Sequence, residues 1–150
     1  MSKLKIGIDM DDCLWSLGEA WTSAFHDKLL AGQLSPLISK DTVPGLSRLS
    51  PPPLSVINQW DLWPCIVGYY KDKGLCLGDD LKKEFFAVLQ AETFWNDYIV
   101  LYPDAVEFLR SVFEGGLSKY WDAYIVTSAD PKSFYFKTER LKRVSFYTCG

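Results

Sequence analysis

The chain has 150 residues, 48% of them hydrophobic and 15% aromatic, with six Trp, enough for a core with aromatic walls in one ordinary globular domain. A net charge of −3 gives no global basic footprint, which speaks against tight binding to a nucleic acid polymer. A small anionic substrate stays open, provided a metal ion or a helix N-terminus supplies a local positive centre.

In chain order, residues 4–8 are short, apolar-rich and bounded by charge, the pattern of a buried parallel strand. Three carboxylates follow at once: Asp9, Asp11 and Asp12. Like charges so close repel and cost stability unless a cation or a raised pKa compensates. Apolar residues at helical spacing, among them Leu17, Ala20, Trp21, Ala24, Phe25 and Leu29, predict a helix over 15–30 with Gly32 as its stop. His26 on that helix reads as a surface residue. Residues 33–53 carry Ser-Pro, Val-Pro-Gly and Pro-Pro-Pro and predict a long loop, a feature often found as a lid or binding segment. Residues 55–70 mix aromatics around Trp60 and Trp63 and match no single element.

Gly78-Asp79-Asp80 predicts a helix start and 81–90 the helix; 94–97 close that unit. Tyr102-Pro103-Asp104 opens another helix over 105–113, ended by Gly115-Gly116. Residues 121–126 predict a second buried strand ending on Thr127 and Ser128, 133–143 a basic helix carrying Lys137, and 144–148 a third strand. The order is that of an α/β fold with a parallel sheet and a small helical cap inserted after the first strand. Ligands of such sheets bind at the carboxyl ends of the strands, where Asp9, Asp11, Thr127 and Ser128 would meet. Cys13, Cys65, Cys76 and Cys149 form no CxxC, and His26 is the one histidine, so neither a zinc site nor a disulfide scaffold is expected, only reduced and buried thiols. No signal peptide or apolar run of about 18 residues is visible, which predicts a soluble cytoplasmic protein without a membrane partner.

Two carboxylates two residues apart past a strand can share one divalent cation, with the Asp11 carbonyl as an alternative ligand. Mg²⁺ suits them, since it takes one or two carboxylates with waters and a substrate phosphate. One carboxylate could then attack phosphorus while the second protonates the leaving alkoxide and activates water. A hydroxyl from Thr127 or Ser128 and the Lys137 ammonium would hold the phosphoryl oxygens. The plainer alternatives are solvated turn or cap residues for the Asp pair, a helix cap for Asp12, a mere strand end for Thr127 and Ser128, and a solvated basic face for Lys137 among Lys132, Arg140, Lys142 and Arg143. Trp60, Trp63, Phe94 and Trp95 could stack on a nucleobase or belong to the core; Phe94 reads as core, and Trp60 and Trp63 are the candidates for lining a substrate pocket.

Ile6-Gly7-Ile8-Asp9-Met10-Asp11, then Ala123-Tyr124-Ile125-Val126-Thr127-Ser128, then Lys137 on the next helix resemble, in order, the first three motifs of the haloacid dehalogenase (HAD) superfamily. Together with Phe94-Trp95 and Tyr102-Pro103-Asp104-Ala105 they look most like its 5′(3′)-deoxyribonucleotidases, over nearly the whole chain except the 33–53 loop. The resemblance implies a HAD-like Rossmannoid core from 1–14 and 101–150, incomplete at its C-terminus, with a helical cap over 15–100. It implies Mg²⁺-dependent hydrolysis of a (deoxy)nucleoside monophosphate, with Asp9 as nucleophile and Asp11 as acid/base. Thr127, Ser128 and Lys137 would bind the phosphate, and Mg²⁺ would sit on Asp9 and the Asp11 carbonyl. Cys13 stands where the superfamily has Thr or Val. The acids of its fourth motif would follow residues 144–150, after which this sequence stops. That leaves three alternatives: a phosphatase with Asp12 or a second copy replacing those acids, a non-catalytic relative that binds a nucleotide or protein partner, and a phosphatase for another small ester. A homodimer would also cover the edge left by missing strands.

Overall fold

The computed structural model describes residues 2–127 and 129–148, with 143–148 as backbone only. The elements run β1 (Leu4–Asp9), α1 (Leu17–Leu30), α2 (Leu62–Asp72), α3 (Asp80–Ala87), α4 (Glu92–Asp97), α5 (Pro103–Phe113), β2 (Trp121–Val126) and α6 (Pro131–Thr148). The protein is thus a mixed α/β chain with a parallel β1-β2 sheet. It divides into two compact units, one of residues 1–17 and 95–150, the other of residues 18–94. Among the described residues no helix is long and apolar enough to cross a membrane.

In the first unit the sheet register pairs Leu4 with Trp121 and ends on Asp9 opposite Val126. Gly7 permits the approach of the strands, since a Cβ there would meet Val126 Cγ2 at 3.1 Å. Ile8 is buried, yet Leu4, Tyr124 and Val126 are exposed. The expectation of two buried strands therefore fails for most of their length: among the described residues the sheet has two strands and one face stays open. The third strand expected over 144–148 is also corrected. The chain there continues α6, because no Gly or Pro between Lys132 and Thr148 interrupts the helical hydrogen-bond ladder.

The β1–α1 connection is a tight turn. Cys13 N and Leu14 N both donate to the Met10 carbonyl, and Asp12 N donates to the Trp15 carbonyl at 2.7 Å. Asp12 adopts φ 63°, where an L residue other than Gly pays about 1–2 kcal/mol. Its carboxylate offsets that cost by accepting from Leu17 N at the start of α1, the capping role expected for it. At the other end of α1, Gly32 takes φ 71°, Gly32 N bonds Leu29 O and Gln33 N bonds Lys28 O, a Schellman stop.

The second unit packs the buried face of α1 against α2 and α3. Trp21 stacks on Phe85 at 4.2 Å and donates its indole N–H to the Phe85 carbonyl at 2.6 Å. Pro64 is tolerated in the first turn of α2, where its missing N–H has no intrahelical partner to lose. The 33–53 segment carries a 3-10 turn at Leu46–Arg48 that buries Leu46. His26, expected at the surface, is buried instead, beside Phe25 on the inner face of α1. Its Nε2–H donates to the Leu49 carbonyl at 3.0 Å, so Nδ1 is the acceptor for the Tyr70 hydroxyl at 2.6 Å. Tyr69 ties down the next residue by donating its hydroxyl to the Ser50 carbonyl.

Burial holds the His26 pKa below its ordinary 6.5, against the opposing pull of the Leu49 hydrogen bond and the Asp27 charge. Burial likewise pushes the Tyr70 phenol far above its usual range. The unfolded chain therefore binds more protons than the folded one below pH 6.5, so the His26 contribution is intact above that pH and drains away as pH falls from there. Thermal melts between pH 7.5 and 5 will show a steeper loss for wild type than for His26→Gln. Parallel curves would mean that His26 titrates alike in both states.

Candidate active site

The first unit brings together residues from three separate stretches of the chain. β1 ends on Asp9, and the turn after it presents Asp11. β2 ends opposite and presents Thr127. α6 starts from Asp130, whose Oδ1 accepts from Lys132 N and Ser133 N and whose Oδ2 accepts from Ser133 Oγ. Helical spacing then buries Ser133 and Lys137 on one face, four residues apart.

The Lys137 side chain is only 4% exposed. Its ammonium donates to Asp11 Oδ2 at 2.6 Å and to Thr127 Oγ1 at 3.1 Å, and it lies 5.7 Å from the centre of the Trp95 ring. The solvated basic face is thereby excluded for Lys137. Asp11, with its side chain 25% exposed, accepts from the Trp15 indole N–H through Oδ1 at 3.0 Å, so both its oxygens are engaged. Asp9 is exposed, and its Oδ1 accepts from Met10 N at 2.8 Å.

No protein-family model, curated protein or solved structure matches this chain.

Ser128 lies outside the described residues, and so does Cys149. Trp60 and Trp63 belong to the second unit. Trp60 is fully exposed, whereas Trp63 is buried against Phe25 and Phe85, a core position. Cys13 and Cys76 are exposed free thiols and Cys65 a half-buried one, which corrects the expectation of buried thiols. The sequence reading missed Trp15 as a member of the site, its one signal being its position four residues after Asp11. Trp95, weighed there as a stacking or core aromatic, is buried with its ring beside the Lys137 ammonium.

Among the described residues no three His, Cys, Asp or Glu side chains cluster as a metal cage. The donor set nonetheless fits Mg²⁺ of the sparsely held kind. The Asp9 carboxylate has an oxygen outside its Met10 hydrogen bond, the Asp11 main-chain carbonyl is a second hard oxygen, and Mg²⁺ commonly keeps waters and substrate phosphate for the rest.

Proposed function

We propose that the chain is a phosphomonoester hydrolase of the HAD type, acting on (deoxy)nucleoside monophosphates with Mg²⁺. The observation that carries the reading is the buried Lys137 ammonium, held between Asp11 and Thr127 at the carboxyl ends of two parallel strands. A cation so placed, next to a hydroxyl, suits the oxygens of a phosphoryl group, with Mg²⁺ needed to offset the carboxylate charge beside it. The fold reading that accompanies it is a Rossmannoid core of 1–14 and 101–150 with a helical cap of 15–100.

In this mechanism Asp9 attacks phosphorus, forming an aspartyl-phosphate as the ester oxygen departs. Asp11 gives that oxygen a proton and later takes one from the attacking water. Lys137 and Thr127 hold the phosphoryl oxygens, their charge and hydroxyl aimed at where negative charge builds up. Asp9 and the Asp11 carbonyl would hold Mg²⁺, which when bound neutralises phosphoryl charge.

A second reading, a non-catalytic nucleotide binder, is favoured by the engagement of both Asp11 oxygens by Trp15 and Lys137. Phosphate release from a panel of 5′- and 3′-nucleoside monophosphates separates the two. The hydrolase releases phosphate with Mg²⁺ and stops when EDTA removes it. A folded chain that binds the nucleotides and releases nothing sinks the enzyme.

A further inference from the structure

Trp15 does more than fill the core. It is wholly buried, and its main chain is pinned twice: its carbonyl accepts from Asp12 N, and it bridges to Leu101. Its ring meets Trp95 edge-on at 6.3 Å. A buried indole N–H needs an acceptor, and a main-chain carbonyl would serve. Here the acceptor is one oxygen of the Asp11 carboxylate, whose other oxygen faces Lys137. A bond at Oδ1 from so rigid a donor stops the carboxylate from rotating about its last torsion and so aims Oδ2.

We propose that Trp15 is the positioning residue of Asp11, fixing the direction in which that carboxyl delivers its proton. This rests on the hydrolase reading and adds a residue that none of its motifs contains. In the first half-reaction the Asp9 O–P bond forms and the ester P–O bond breaks. The leaving oxygen keeps the electron pair and takes the proton from the Asp11 carboxyl. An alkoxide needs that proton, whereas a thiolate leaves without it. Misaiming Asp11 therefore matters for one leaving atom and not for the other.

The test compares kcat/KM, which reports the steps through loss of the leaving group, on a nucleoside 5′-monophosphate and on the same nucleotide with sulfur as the bridging atom. The full chain with Mg²⁺ is assayed as wild type, as Trp15→Phe, and with benzothienylalanine at position 15. That last residue has the shape of Trp with sulfur in place of N–H, so it covers the case in which Trp15→Phe packs poorly. The oxygen ester is expected to lose at least about tenfold in kcat/KM in both variants, a fraction of what a well-placed general acid contributes, and the sulfur ester less than about twofold. Equal losses on the two esters, or none, overturn the positioning role and leave the hydrolase standing. A wild type silent on both overturns the hydrolase and this role with it.

Discussion

Asp11→Ala is expected to destabilise the first unit by about 3 kcal/mol, the low end of what removing one partner of a buried ion pair costs. The asymmetry of the pair sets the figure. Lys137 is 4% exposed and Asp11 25%. Taking away the carboxylate removes the 2.6 Å acceptor of the more deeply buried charge and leaves it the longer 3.1 Å bond to Thr127 Oγ1. Lys137→Met strands the less buried one, which keeps the Trp15 N–H and some solvent, so about 1–2 kcal/mol is expected there. The double variant Asp11→Ala/Lys137→Met removes both charges, so its loss will be smaller than the sum of the two singles by at least about 1 kcal/mol. Urea unfolding followed by far-UV circular dichroism supplies the cycle. Additive losses would mean that the ion pair is no stronger than a solvated surface contact.

The parts of this arrangement that the sequence foretold share a cause: they depend on short-range pattern. The second strand starts and ends at the expected residues, because Trp121 to Val126 is a run of mostly aromatic and branched apolar residues free of Gly and Pro. The helix bounded by Pro103 and Phe113 has its start written in Tyr102-Pro103-Asp104. What stayed hidden depends on neighbours distant in sequence or on unusual backbone. Residues 144–148 have strand-like composition, but β propensity acts only through a paired strand, and the helix begun at Asp130 simply runs on. His26 looks polar and therefore external, yet it follows Phe25 on a helix whose inner face also carries Leu29, and its two nitrogens find Tyr70 and Leu49. The Asp11–Trp15 bond needs the left-handed Asp12 between them, a conformation that an Asp permits but does not announce. Lys137 shares a face with buried Ser133, while Lys132 and Lys142 are exposed, but period alone does not separate it from its basic neighbours, because Ser133 is polar and Arg140 lies three residues on along the same face.

Asp9→Asn is expected to do the reverse of Asp11→Ala: stability stays within about 0.5 kcal/mol of wild type while nucleotide hydrolysis falls by roughly a thousandfold or more. Asp9 is exposed, and its carboxylate accepts a hydrogen bond from Met10 N, which an amide oxygen accepts as well. Nothing structural therefore depends on its charge. The chemistry does, because an amide cannot attack phosphorus to form the acyl phosphate and is a poorer ligand for Mg²⁺ than a carboxylate. On the hydrolase reading the two carboxylates flanking Met10 divide the labour, Asp11 built into the unit and Asp9 the nucleophile. Unfolding midpoints measured beside phosphate release check both halves at once. A folded Asp9→Asn that still turns over would move the nucleophile elsewhere, and one that unfolds would make Asp9 structural.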